Sequence, residues 1–303
     1  MKNLVFGLTA VLCPLLAQQP ASVVTRAGYT AAQPIKVAPG QVITLFVRPA
    51  QIQVNEAVAA PGIPLPVTMN GFTVQLRQTL SQVPIAVPIL SLNPVQTCSA
   101  VIPVSCSAQV AMTVQIPFEL VPNVRLARGP ANFATLTVFE HGIGGDPLPL
   151  DASPDAVHLI NSCDTTKLTV DAPCRTVIAH ADGTEVSSDS PAHANETLTI
   201  TAYGLGRSDQ VVRTGDASPD PASGVSEVRA EVRFGMNLES FQPNADASAA
   251  SAVLKAGSVG IYQVTFTVPE LPGDLPACGD IDPNAKVSVG RGTSFDSAGF
   301  CVR

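Results

Sequence analysis

Along much of the chain apolar and polar residues alternate in short runs, the period of a strand that buries one face and wets the other. In the clearest run Val228, Ala230, Val232 and Phe234 alternate with Arg229, Glu231 and Arg233. Tyr262, Val264, Phe266 and Val268 alternate in the same way with Gln263, Thr265 and Thr267. So do Met112, Val114, Ile116 and Phe118 with Thr113, Gln115 and Pro117, and Phe72, Val74 and Leu76 with Thr73, Gln75 and Arg77. Apolar or mixed runs at 42–47, 136–139 and 198–202 predict central strands. Helical periodicity is scarce, and the Ala-rich stretch 245–255 predicts either a short helix or a loop.

The runs recur between the halves at an offset of roughly 150 residues. Met112-Thr-Val-Gln-Ile-Pro-Phe-Glu-Leu-Val-Pro122 parallels Tyr262-Gln-Val-Thr-Phe-Thr-Val-Pro-Glu-Leu-Pro272. Gly40-Gln-Val-Ile-Thr-Leu-Phe46 parallels Asn195-Glu-Thr-Leu-Thr-Ile-Thr201, and 132–138 parallels 284–289, each expected as the last strand of its half. Two copies of a unit of about seven strands predict an all-β chain of two tandem immunoglobulin-like β-sandwich domains. Their expected spans are 22–148 and 149–303, with the boundary inside the polar, proline-containing stretch 144–154. Composition agrees: 27 prolines and 22 glycines break helices but punctuate strands. Apolar residues make up 46% of the chain and charged residues 14%, which excludes a disordered polyelectrolyte. A net charge of −7 without a basic cluster argues against nucleic acid as a partner.

Met1 and Lys2 precede the apolar run from Leu4 to Leu16, which gives way to Gln18 and Gln19. This pattern predicts a signal peptide over 1–21, too short to span a bilayer, and no transmembrane segment after its removal. The expected destination is extracellular or the cell surface, with the periplasm as the alternative. Cys13 would leave with the leader, and Leu12 before it is not the small residue that precedes a lipidated cysteine. Six cysteines remain, an even number that in an exported chain predicts disulfides. Fifteen connectivities are open to six cysteines. Proximity in the sequence favours Cys98 with Cys106, Cys163 with Cys174, and Cys278 with Cys301. No C-x-x-C occurs and no histidine stands within four residues of these cysteines, so zinc is not expected.

In the second half, His180-Ala-Asp-Gly-Thr-Glu-Val-Ser-Ser-Asp-Ser-Pro-Ala-His193 leads into Glu196-Thr-Leu-Thr-Ile-Thr-Ala-Tyr-Gly-Leu-Gly206. Ala256-Gly-Ser-Val-Gly-Ile-Tyr-Gln263 then precedes Val268-Pro269. These segments resemble the uncharacterised immunoglobulin-like, IPT/TIG-type C-terminal domains of secreted acidobacterial proteins. Val37-Ala-Pro-Gly-Gln-Val-Ile-Thr-Leu-Phe46 fits that pattern more loosely, and the cysteines and the 163–174 insert depart from it. The resemblance implies an Ig-like fold, export, and an attachment or display role, and it supplies no catalytic residues.

Candidate chemistry is thin. His141-Gly-Ile-Gly-Gly-Asp146 has the look of a lipase oxyanion segment, but no G-x-S-x-G nucleophile elbow accompanies it, and a flexible loop is the simpler expectation. His141, His158, His180 and His193 show no paired spacing, so they predict no metal site, although folding could bring His180 and Asp182 to a third ligand. Asp-Ala-Ser-Pro-Asp occurs at 151–155 and again at 216–220, and Asp274, Asp280 and Asp282 follow. These acidic loops lack the ligand spacing of a calcium loop. Gly204-Leu-Gly206 and Gly290-Arg-Gly292 lack the third glycine of a dinucleotide fingerprint and predict turns.

The sequence therefore predicts no catalytic, cofactor-binding or metal-binding residue. It points to a non-enzymatic secreted or cell-surface module for binding, adhesion or display, with an unknown protein or glycan as partner. The alternatives are a carbohydrate-active accessory or hydrolase domain, and a structural surface-layer or appendage subunit. With no tryptophan and only Tyr29, Tyr203 and Tyr262, sugar-stacking platforms are few.

Overall fold

The computed structural model describes residues 21–29, 34–79, 81–98, 106–123, 133–162, 164, 175–235, 245–246, 250–279 and 283–303. The expected leader up to residue 20 and the Cys163–Cys174 pair lie outside the described residues. Among the described residues there is no helix, and none long and apolar enough to cross a membrane. The chain is all-β.

The early strands are β1 (Val23–Ala27), β2 (Ile35–Val37), β3 (Val42–Arg48), β4 (Val58–Ala59), β5 (Thr68–Met69) and β6 (Phe72–Gln78). There follow β7 (Ser81–Val87), β8 (Ile89–Cys98), β9 (Cys106–Gln115), β10 (Ala134–Glu140), β11 (Ile143–Gly144) and β12 (Leu148–Ala152). They form two sheets, β1-β3-β9-β8-β4 and β2-β12-β10-β6-β5, with β11 on β10 and β7 on β6. All pairings are antiparallel except β12 with β2.

The later strands are β13 (His158–Leu159), β14 (Ile178–Ala179), β15 (Thr197–Tyr203), β16 (Gly224–Val225) and β17 (Val228–Phe234). After them come β18 (Ala245–Asp246), β19 (Ser251–Leu254), β20 (Tyr262–Thr267), β21 (Ala285–Arg291) and β22 (Ser294–Phe300). They too form two sheets, β13-β15-β20-β19-β16 with β14 on β15, and β18-β17-β21-β22.

Strand alternation explains why the sheets face each other in pairs. In β10 Ala134, Leu136 and Val138 are buried between the half-exposed Thr135, Thr137 and Phe139, and they meet Phe72, Val74 and Leu76 of β6 with Leu45, Met112 and Val114 from the opposite sheet. A second cluster joins Leu198, Ile200, Tyr262, Val264 and Phe266 of one late sheet to Val232, Val287, Val289 and Phe300 of the other. Fully burying one such side chain contributes roughly 1.5–3 kcal/mol, so each sheet pair carries its own core. The apolar run 42–47 is buried residue by residue, so both faces of β3 are covered, and β1 and β9 pair with its two edges.

Several expectations are corrected. The stretch 245–255 holds strand rather than helix over most of its described residues, since β18 and β19 lie within it. The segments 132–138 and 284–289 do not close their halves: β10 is followed by β11 and β12, and β21 by β22. β12 still belongs to a sheet of the early pair, so the chain passes between the pairs at residues 153–157. His141-Gly142 is a tight turn rather than a flexible loop. Both residues have positive φ, 48° and 85°, and they join Glu140 to Ile143 as a two-residue hairpin requires.

Cys98–Cys106 bridges facing residues of the β8–β9 hairpin, and Cys278–Cys301 ties the residue after β22 to the loop before β21. Tyr262 is wholly buried, and its hydroxyl donates to the carbonyl of Gly206. Tyr262→Phe is expected to leave that carbonyl without its donor and to lower unfolding stability by about 1–2 kcal/mol in urea titration.

Candidate functional site at the seam between the sheet pairs

The chain crosses between the pairs through Ser153-Pro-Asp-Ala-Val157, and this crossing is fastened on both sides. Ser153 N–H donates to Val37 O at 2.8 Å, and Ala156 N–H to Gly204 O at 2.8 Å. Buried Gln41 turns back on Ala38 N with its Oε1 and donates from Nε2 to Ala156 O at 2.9 Å. Asp155 is only 2% exposed. Its carboxylate accepts from Thr293 N at 3.0 Å, Thr293 Oγ1 at 2.9 Å and Ser294 Oγ at 2.5 Å, all in the β21–β22 turn. Lys36 from β2 reaches the same turn, 3.4 Å from Thr293 O.

Gly204-Leu-Gly206 is more than a turn. Both glycines have positive φ, and a Cβ at either would stand 2.1 Å from a crossing-segment carbonyl, Ala156 O or Pro154 O. Only glycine permits that approach. Below it, Arg207 donates to Phe118 O and Leu120 O, Thr214 Oγ1 accepts from Phe118 N at 2.9 Å, and Gln115 Oε1 accepts from Gly215 N at 2.7 Å. Phe118 packs in the late core although it follows β9.

Beside the crossing lies a cleft of about 510 Å³ lined from both sheet pairs, by Tyr29, Lys36 and Gln41 on one side and His158, Phe295 and Asp296 on the other. Two further hollows, about 270 Å³ against β22 and about 500 Å³ near the end of the chain, contain no histidine. His158 Nε2 is 2.8 Å from Asp164 Oδ1 and its Nδ1 is 3.3 Å from Asp296 Oδ2, while the Tyr29 ring stacks on it at 3.6 Å between centroids. Burial opposes a charge on His158, but the hydrogen bonds and fields of Asp164 and Asp296 outweigh it and hold its pKa above the ordinary value. For Asp296 burial acts upward, and bonds from His158, Leu159 N and Ser297 N prevail and lower it.

The second histidine cluster lies in the segment 180–196. His180 Nδ1 is 2.5 Å from Glu196 Oε1, and its Nε2 is 3.3 Å from Ser190 Oγ. Serine, histidine and carboxylate thus stand in the order of a nucleophile, a base and its orienting group. The same Nε2 is also 3.1 Å from the carbonyl oxygen of Ser190. A carbonyl only accepts, so Nε2 carries a proton and has no lone pair to take the hydroxyl proton. With Glu196 on the other nitrogen the charged form of His180 is favoured and its pKa is raised, first by the Glu196 hydrogen bond.

Other expected positions are placed as follows. Asp182 does not join His180 in a ligand set but caps Thr184, through N at 2.9 Å and Oγ1 at 2.7 Å. His193 meets the Arg303 carbonyl at 2.9 Å, and His141 and Asp146 are exposed. Asp155 spends its carboxylate on the seam rather than on a cation. The carboxylates at His158 approach separate ring nitrogens rather than a common point, and among the described residues no group of three or more His, Cys, Asp or Glu could hold a metal ion. Asp280 and Asp282 lie outside the described residues.

The sequence pattern missed the partners of His158 and the roles of Ser190 and Asp155. The available signals were Asp155 ending the first Asp-Ala-Ser-Pro-Asp and glycines spaced two apart at 204 and 206.

Two outcomes follow. Asp155→Asn places amide hydrogens against the donors of Thr293 and Ser294 and is expected to lower stability by about 2 kcal/mol in urea titration. His180 is expected to titrate above about 6.5 by NMR, with both ring nitrogens protonated at pH 6, and Glu196→Gln is expected to bring its pKa down.

Comparison with protein-family models, with curated proteins and with solved structures finds no match for this chain.

Proposed function

We propose that the protein is a non-enzymatic, exported module of two tandem Ig-like domains that binds or displays, with a protein or glycan at the cell surface as its partner. The observation that carries this reading is the condition of the two histidines that meet carboxylates. In each, both ring nitrogens face acceptors, so neither offers the lone pair that general-base catalysis requires. Two disulfides are compatible with an extracellular setting. The resemblance of 180–206 and 256–272 to IPT/TIG-type domains of secreted proteins supports the same role, and much of the first segment serves loop architecture: His180 to Glu196, Asp182 to Thr184, and the two glycines at the crossing.

A carbohydrate-active role gains little support. Tyr262 is wholly buried and Tyr29 is covered by His158, so these rings offer no open platform for a sugar. A structural-subunit role finds one supporting feature, because β1 and β4 end their sheet, and an end strand can add a neighbour.

The test is to assay the purified protein against ester, peptide and glycoside substrates together with its Ser190→Ala and His158→Gln variants. No turnover that depends on either residue is expected, and hydrolysis abolished by Ser190→Ala overturns the reading. Glycan-array binding with measurable turnover would favour the carbohydrate-active role, and concentration-dependent assembly in light scattering the structural one.

A further inference from the structure

We propose that His158 is a proton-held latch between the two sheet pairs: as an imidazolium it is gripped by Asp164 and Asp296 and stacked under Tyr29, and loss of its proton loosens the seam.

A neutral imidazole has one N–H and one lone pair, so it can satisfy one carboxylate but presents its lone pair to the other. His158 faces a carboxylate on each nitrogen, at 2.8 Å and 3.3 Å. Only the doubly protonated ring donates to both. Its side chain is 14% exposed, Asp164 6% and Asp296 35%, so solvent does little to replace a missing donor at Asp164.

The proton is felt across the seam through Tyr29. That ring belongs to the early sheet pair and is anchored by its hydroxyl, which donates to Val42 O at 2.5 Å. It lies 3.6 Å from the His158 ring with 9° between the planes, close enough for its π face to favour a cation over a neutral ring. The Tyr203 ring from β15 lies nearly parallel to that of Tyr29, 6.2 Å between centroids, and Lys36 from β2 lines the cleft. Burial pushes both tyrosines up, Tyr203 to about 12, so neither supplies a competing negative charge near neutral pH. The groups that face His158 are therefore Asp164 from the segment after β13, Asp296 from β22 and the two neutral tyrosines, with the ammonium of Lys36 in the cleft.

The sign follows from linkage. A histidine whose folded pKa is raised contributes stability that is complete below its unfolded value of about 6.5 and is lost as pH rises through the folded value. Asp296, whose pKa is lowered, contributes above about 4 and loses its contribution as acid protonates it. The latch is thus closed between these limits and opens on the alkaline side.

Two measurements on the full chain test the proposal. In the first, NMR of the His158 ring nitrogens is expected to show both protonated at pH 6.5 with a pKa above that value. Tyr29→Leu is expected to lower this pKa measurably and Tyr29→Phe to preserve it. A single neutral tautomer at pH 6.5, or a pKa indifferent to Tyr29→Leu, overturns the latch. In the second, calorimetric melting is followed from pH 5 to 9 for wild type and His158→Gln. The difference in Tm is expected to be largest below the measured pKa and to shrink above it. A difference that does not vary with pH overturns the proposal, and because each protein serves as its own reference across pH, a generally weakened variant does not mask the result.

Discussion

The placement of the two sheet pairs depends on a carboxylate taken out of water. Asp155 sits where the chain leaves one core for the other, and burial of an anion is costly unless every lone pair finds a donor. The Thr293-Ser294 turn supplies them, with two hydroxyls and a backbone N–H. Leaving that turn would strand the charge, so the crossing segment and the β21–β22 hairpin are held together. The other seam contacts use the position thus fixed: Gly204 and Gly206 admit the crossing backbone, Gln41 holds its carbonyl, and Tyr29 reaches His158.

Within each sheet pair the physics is ordinary, and it was legible. Alternation at 72–77, 228–234 and 262–268 marked strands because one face of each meets a core and the other meets water. Many strands escaped, β7 and β8 among them, and two of them show why. β12, Leu-Pro-Leu-Asp-Ala, carries a proline and an aspartate, and it is held between β10 and β2 by antiparallel and parallel pairing rather than by its own propensity. β22, Ser-Phe-Asp-Ser-Ala-Gly-Phe, is built of small and polar residues, and its register comes from the two-residue turn shared with β21. The local cysteine pairs at 98–106 and 278–301 followed from proximity because a hairpin and a returning strand bring near neighbours together.

The site was not legible in the same way. Histidine 158 and Asp296 lie on strands of different sheets, and Tyr29 comes from the other sheet pair, so no spacing in the sequence joins them. Ser190, His180 and Glu196 were close in sequence, yet their meaning rests on a backbone carbonyl, which no residue name announces. The two Asp-Ala-Ser-Pro-Asp segments show the limit clearly. Identical letters gave a buried tie at 151–155, whereas at 216–220 the last aspartate is exposed before a cis proline bond.

Much of the polar chemistry described is spent on joining and shaping two cores. If the seam works as described, the two sheet pairs tumble as one body. NMR relaxation measured separately over β6 and β10 and over β15 and β20 tests this most directly. A single rotational correlation time and a common diffusion tensor are expected for both sets at pH 6.5. Two distinct correlation times, each that of an independent half, would contradict the account.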